Sequence, residues 1–163
     1  MADIKKSKLK DINTGILKKD ACVVLVTTEW NAEIVEQLER GCIAELEKNG
    51  AGKIVVMKVP GAVEIPFAIK RYFEKKSKKE RLDAFIALGC VIKGDTPHFD
   101  YVCRMVSDGV TALNLALPVP VIFGVLTVDN ERQAIERTGG VHGHKGEEAA
   151  LTALKMISLN EKW

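Results

Sequence analysis

Four stretches of the chain are apolar at nearly every position, and each is followed by a segment whose apolar residues recur three and four apart. The first, residues 21–27 (Ala-Cys-Val-Val-Leu-Val-Thr), is continuous and β-branched, the pattern of a strand buried on both faces. Asn31 then stands where a helix cap is expected. The helix carries Ile34, Val35, Leu38, Cys42, Ile43 and Leu46 on one face, and Asn49-Gly50 closes it. Residues 53–59 read as a second strand, ended by Pro60-Gly61, and Pro66 suits the first turn of a helix running to about Phe73. Residues 84–91 form the third apolar run. Thr96 opens the following helix, which extends to about Leu117, where Pro118 and Pro120 stop it. Residues 121–127 predict a fourth strand, and Asp129-Asn130 cap a helix through Arg137. Gly139-Gly140 break that helix, and a last one begins near Gly146 and runs to about Leu159.

Strands that are apolar throughout, alternating with helices, call for a parallel sheet covered on both sides. The expected fold is α/β, a flavodoxin-like three-layer sandwich with a four-stranded parallel sheet and helices on both faces. Ligand sites are then expected beyond the carboxyl ends of the strands. The helical period begins only after residue 20. Residues 1–20 alternate Lys and Asp with isolated Ile and Leu, which suits either a tail or an extended N-terminal arm, and residues 21–163 suit a single domain. Ile12, Ile16 and Leu17 around Gly15 give the arm something to lay on another surface. The mixed-sign cluster at 74–81 reads as a solvated helix end or loop.

Composition narrows the function classes. At 163 residues, with 47% apolar and 28% charged positions, the chain can bury a core without disulfides. A net charge of +2, with two Trp and two Tyr, argues against a nucleic-acid or anionic-membrane partner. Cys22, Cys42, Cys90 and Cys103 have no metal-site spacing, and three of them lie inside apolar runs, so they read as reduced core thiols of a cytoplasmic protein. Residues 1–6 lack the apolar core of a signal peptide, and no stretch reaches the length of a membrane span.

The densest chemistry lies in Gly89-Cys90-Val91-Ile92-Lys93-Gly94-Asp95-Thr96-Pro97-His98-Phe99-Asp100-Tyr101. A strand end, a glycine turn and an uncovered helix start make an anion site, because free N–H groups and the helix dipole point outward together. His98, one of three histidines, sits one turn into that helix, so proton transfer on a phosphorylated substrate is the chemistry suggested. Trp30, in the loop after the first strand, offers a flat ligand an aromatic plane or else forms a lid over the core. In Gly61-Ala62-Val63-Glu64-Ile65-Pro66, Gly61 allows close backbone approach. Glu64 either bonds a polyol or complements a helix dipole. Phe123 lies near the start of the fourth strand. Arg137 ends a helix antiparallel to it, on the order of 10 Å back at about 1.5 Å per residue. His98 and Arg137 should therefore not meet within one chain, and a site using both would lie between subunits. Taken singly, Arg137 is explained by helix-dipole complementarity.

These motifs, with Gly124-Val125-Leu126-Thr127, Gln133-Ala134 and Arg137 following in order, resemble lumazine synthase from about residue 20 to the end. The resemblance implies condensation of 5-amino-6-(D-ribitylamino)uracil with 3,4-dihydroxy-2-butanone 4-phosphate, the penultimate step of riboflavin biosynthesis, with no metal or redox cofactor; the alternative is a non-catalytic flavin- or lumazine-binding protein or a shell-forming structural one. It implies that Trp30 stacks on the pyrimidine and that Ala62, Val63 and Glu64 hold the ribityl chain. Cys90, Val91 and Ile92 would line the pyrimidine pocket through their backbone, Asp95 and Thr96 would meet the phosphate with Arg137, and His98 would transfer protons. Phe123, Arg137 and Lys145 would come from a neighbouring subunit. Pentamers are implied, with riboflavin synthase a further partner. The short link at residues 139–145 leans toward a sixty-subunit shell. Two positions depart from the family pattern: Trp30 stands where Phe is frequent, and His144 stands where Asn is common.

Overall fold

A computed structural model describes residues 21–162. The expected N-terminal arm lies outside the described residues. Four parallel strands, β1 (Cys22–Thr28), β2 (Lys53–Val59), β3 (Ala84–Ile92) and β4 (Val121–Val128), form one sheet in the order β2-β1-β3-β4. The helices are α1 (Ala32–Lys48), α2 (Ile65–Lys75), α3 (His98–Ala116), α4 (Glu131–Ile135) and α5 (Lys145–Asn160). The α/β fold expected from the alternation is the one observed.

The apolar runs are continuous because the central strands are covered twice. In β1, Val23 and Leu25 enter a core with Leu38, Leu46 and Leu154, while Val24 and Val26 enter a second core with Ile65, Ile69 and Val110. Successive side chains point to opposite faces, so α1 and α5 cover one side and α2 and α3 the other. Strand β2 is the exception to the all-apolar expectation. It forms one edge, and Lys53 and Lys58 interrupt its apolar run there. Charged residues on an edge strand discourage unwanted pairing. At the other edge, Asn114 of α3 opens β4: its Nδ2 donates to the Val121 carbonyl (2.7 Å), and the Val121 N–H donates back to its Oδ1 (2.9 Å).

Glycines set how closely α5 docks on α1. A Cβ at Gly146 would run into the backbone carbonyl of Leu38 and lie 3.1 Å from the amide nitrogen of Cys42. A Cβ at Gly41 would collide with the imidazole of His144, whose ring fills the notch that this glycine leaves.

Several local expectations are corrected. The side chain of Asn31 does not cap α1; its backbone is left-handed (φ 56, ψ 44) and its amide is used elsewhere. Thr96 does not cap α3 either. That helix starts at His98 after Pro97, with no side-chain cap. Helix α4 ends at Ile135 rather than Arg137. A small antiparallel hairpin, β5 (Thr138–Gly140) with β6 (Gly143–His144), follows it where only a break was expected. Two and three residues are too few to carry a periodic signal. The Asn130 cap is as expected, its side chain accepting from the Gln133 N–H (3.0 Å).

Candidate functional site

Strand order reverses between β1 and β3. From β1 the chain moves outward to β2, and from β3 it moves the other way to β4. At such a switch point the two flanking loops part and leave a crevice beyond the carboxyl ends of the strands. A cleft of about 450 Å³ lies there, walled by Trp30 and Asn31 after β1, by Gly61 to Glu64 after β2, by Cys90, Val91 and Ile92 at the end of β3, and by His98 and Val102 of α3. A larger groove of about 630 Å³ runs between β2 and the outer side of α2, past Phe67, Arg71 and Tyr72. Of the residues proposed for chemistry, only Glu64 reaches it.

Each wall has a local cause. The Trp30 N–H donates to the Pro60 carbonyl (3.2 Å), and its carbonyl accepts from the Thr28 hydroxyl (3.3 Å). The indole edge passes Gly61 so closely that a Cβ there would sit 3.4 Å from Trp30 Cδ1 and 3.0 Å from Glu64 Oε2. Gly61 is therefore the gap through which Trp30 and Glu64 face one cleft. A single 3-10 turn, Ala62–Glu64, feeds straight into α2, with Pro66 in the first helical turn. Cys90 is buried, and desolvation pushes its thiol up to about 12, so it is a neutral wall group rather than a nucleophile. Cys42 is likewise pushed up to about 12, first by burial and then by Glu39.

Buried neutral thiols have a consequence for stability. Their raised values in the folded chain mean that the stabilisation is complete below the ordinary thiol value of 9.0 and is lost as pH rises toward about 12. The melting temperature should therefore hold steady from pH 7 to about 8.5 and decline above pH 9. A Cys42→Ala, Cys90→Ala double variant should lose less than the parent over that range, as thermal melts against pH would record.

Asp95 and Thr96 lie in the exposed turn leading to α3, beside the cleft rather than in its wall. Because α3 takes no cap from a side chain, Thr96 is not consumed by the helix start. Phe123, Arg137 and Lys145 are absent from this cleft, as the strand geometry requires. Phe123 and Lys145 instead share a second cleft of about 510 Å³ along β4 and the start of α5. There Lys145, only 7% exposed, is held by both carboxylate oxygens of Glu148 at 2.7 and 2.6 Å. The hairpin brings the backbone of Arg137 alongside that of Lys145: the Lys145 N–H donates to the Arg137 carbonyl at 2.8 Å. The Arg137 guanidinium donates to the Gln133 carbonyl (2.7 Å), one of the last carbonyls of α4. The chain thus carries two separate clefts, one lined by Trp30, Glu64 and His98 and the other by Phe123 and Lys145.

Comparison with known proteins decides the family. Residues 20–161 match the model of 6,7-dimethyl-8-ribityllumazine synthase. The chain belongs to this family. A 6,7-dimethyl-8-ribityllumazine synthase of Parabacteroides distasonis is 50% identical over 152 residues, covering 92% of each chain. One of Porphyromonas gingivalis is 49% identical over 143 residues, covering 86% of each. One of Bdellovibrio bacteriovorus is 49% identical, covering 86% of this chain and 75% of its own. The chain is thus an enzyme of the lumazine synthase family, and its α/β sandwich is the fold expected of one. Among the described residues no helix is long and apolar enough to cross a membrane, and no group of three or more His, Cys, Asp or Glu is placed to hold a metal ion.

Two features of the site escaped the sequence reading. Asn31, whose place before a helix suggests a cap, is a cleft residue. Glu148, the partner of Lys145, is marked in the sequence only by its spacing of three from a lysine on a helix.

Proposed function

We infer that the chain condenses 5-amino-6-(D-ribitylamino)uracil with 3,4-dihydroxy-2-butanone 4-phosphate to 6,7-dimethyl-8-ribityllumazine, phosphate and water, in the cytoplasm. The observation that carries this reading is the switch-point cleft. It gathers an aromatic plane, a carboxylate, strand-end backbone and an imidazole around one volume. Trp30 stacks on the pyrimidine, and the backbone of Cys90, Val91 and Ile92 reads its polar edge. Ala62, Val63 and Glu64 hold the ribityl hydroxyls. The phosphate lies at the Asp95-Thr96 turn, where the start of α3 presents free N–H groups.

The 5-amino group attacks the ketone, and loss of water gives an imine. Phosphate leaves by elimination, and the ribitylamino nitrogen closes the ring with loss of a second water. His98, at the first position of α3 and in the cleft wall, exchanges the protons these steps require. Holding two substrates in register supplies much of the acceleration, up to about 7–11 kcal/mol in favourable cases.

The separation of Phe123, Arg137 and Lys145 from the first cleft supports a reading in which subunits assemble. Phe123, Arg137 and Lys145 complete the cleft of a neighbouring subunit in a pentamer, and the short hairpin between Arg137 and Lys145 suits packing of pentamers into a sixty-subunit shell. Light scattering separates pentamer from shell. Arg137→Ala should raise KM for the phosphorylated substrate by about 10- to 100-fold, the worth of a lost charge-assisted hydrogen bond, with less change in kcat. An unchanged KM would remove Arg137 from the phosphate site. The reading as a whole is tested by mixing the two substrates with the purified protein and following lumazine absorbance. Binding without product would make the chain a carrier rather than an enzyme.

A further inference from the structure

The turn between β1 and α1 holds the only non-glycine residue with a positive φ among the described residues, Asn31 (φ 56, ψ 44). Asparagine tolerates the left-handed region better than most side chains, yet the conformation is uncommon and is kept where surrounding bonds enforce it. The bond that enforces it is visible. Asn31 Nδ2 donates to the Cys90 carbonyl at 2.8 Å, joining positions 59 apart in the sequence. The same turn is fastened to β2 by Glu29 N–H to the Val59 carbonyl (2.9 Å) and by Trp30 N–H to the Pro60 carbonyl. Thr28 holds the Trp30 carbonyl from the end of β1. Residues 28–31 are thereby tied to three strand ends at once, and the Asn31 amide is the tie to β3.

Trp30 needs such a tie. Its side chain is among the most exposed large apolar groups of the described chain, at 73%, so packing does little to hold it. The direction of its ring must come from its backbone, and one residue later that backbone bends left-handed under the pull of the Asn31 amide. We propose that Asn31 is a positioning residue: by bridging the β1–α1 turn to Cys90, it holds the Trp30 ring over the cleft before the substrate arrives. A surface already in place avoids an ordering cost on binding, so the effect falls on affinity for the aromatic substrate. The inference rests on the reading of Trp30 as the stacking surface.

The test uses the full chain with Asn31→Gly, Asn31→Asp and Trp30→Ala variants, assayed with both substrates. Glycine accepts φ 56 without strain, so Asn31→Gly removes the amide while leaving the turn and the start of α1 free to form. Aspartate cannot donate to a carbonyl. Both Asn31 variants should raise KM for the aminopyrimidine by about tenfold, the worth of one net hydrogen bond, with kcat within about twofold and KM for the phosphorylated substrate unmoved. In a Trp163→Phe background, where Trp30 is the sole tryptophan, its fluorescence anisotropy should fall in Asn31→Gly. A wild-type KM and anisotropy in Asn31→Gly would overturn the proposal. So would an equal rise in KM for both substrates, which is the mark of general loosening. The Trp30→Ala variant separates the two layers. If it leaves the aminopyrimidine KM unchanged, the stacking reading itself fails; if it raises KM while Asn31→Gly does not, only the positioning role fails. If Asn31→Asp does not fold, Asn31→Gly decides alone.

Discussion

Replacing His98 by alanine is expected to slow turnover by about 10²- to 10⁴-fold and to leave a measurable rate. That range is what a positioned general acid–base contributes. The cleft proposed to hold the two substrates survives the change, because Trp30, Glu64 and the end of β3 do not depend on the imidazole. His98 is exposed at the first position of α3, where its loss leaves no cavity, so the fold should be unaffected. Single-turnover measurement of lumazine formation, with melting and oligomeric state as controls, separates the outcomes. Complete loss of activity in a correctly assembled variant would mean that orientation contributes little and that His98 carries the reaction. A rate within about threefold of the parent would mean that another group moves the protons.

The largest effect on stability is expected from Gly146→Val. A Cβ at this position runs into the Leu38 carbonyl and crowds the Cys42 amide, both backbone atoms of α1, so no rotamer change can relieve the clash. The two helices must separate, loosening a core that includes Leu38, Cys42, Leu46, Ala150 and Leu154. Overpacking of this kind costs about 1–3 kcal/mol, and more where the obstacle is backbone. At roughly 2–4 °C per kcal/mol for a domain of this size, a cost at the upper end, about 3 kcal/mol, lowers the melting temperature by about 6–12 °C. Because α5 begins at Lys145, the same displacement moves Lys145 and Glu148, and KM for the phosphorylated substrate should rise with the loss of stability. Gly50→Ala is the contrast. A Cβ there meets nothing within 4 Å, and only the positive φ of 82° opposes it, so its cost should be near 1 kcal/mol. Thermal melts of the two variants side by side check the distinction. Equal losses would mean that helix contact at Gly146 is not what sets the α1–α5 distance.

The sheet and its covering helices were legible in the chain because burial on both faces leaves no charged positions in β1 and β3. The breaks at Asn49-Gly50, Pro60-Gly61 and Pro118 follow from backbone sterics alone. The switch-point cleft was legible too, since strand alternation and the location of glycines put Trp30, Gly61 and His98 at carboxyl ends. Asn31 shows where this reading stops. Asparagine before a helix has one common use, as a cap, and only the fold reveals that its amide has a carbonyl 59 positions away within reach. The hairpin at residues 138–144 shows the same thing for backbone. Its two strands exist because the hairpin must link the end of α4 to an α5 already docked against α1, not because of any pattern in Thr-Gly-Gly.

By itself, then, the order of residues determined the four main strands, the layers and the edge of the sheet where the switch-point cleft opens, because these depend on local sterics and on burial that repeats along the chain. It also led to the expectation that His98 and Arg137 stand apart, and Arg137 does not line the cleft of His98, although the helix ends at Ile135 before reaching it. The tertiary structure decided which side chains share a cleft: Trp30, Glu64 and His98 in one, Phe123 and Lys145 in another. It also decided that Asn31 serves β3 rather than its own helix. Those are contacts between residues far apart in sequence, set by how closely two packed surfaces approach, and no local pattern encodes that distance.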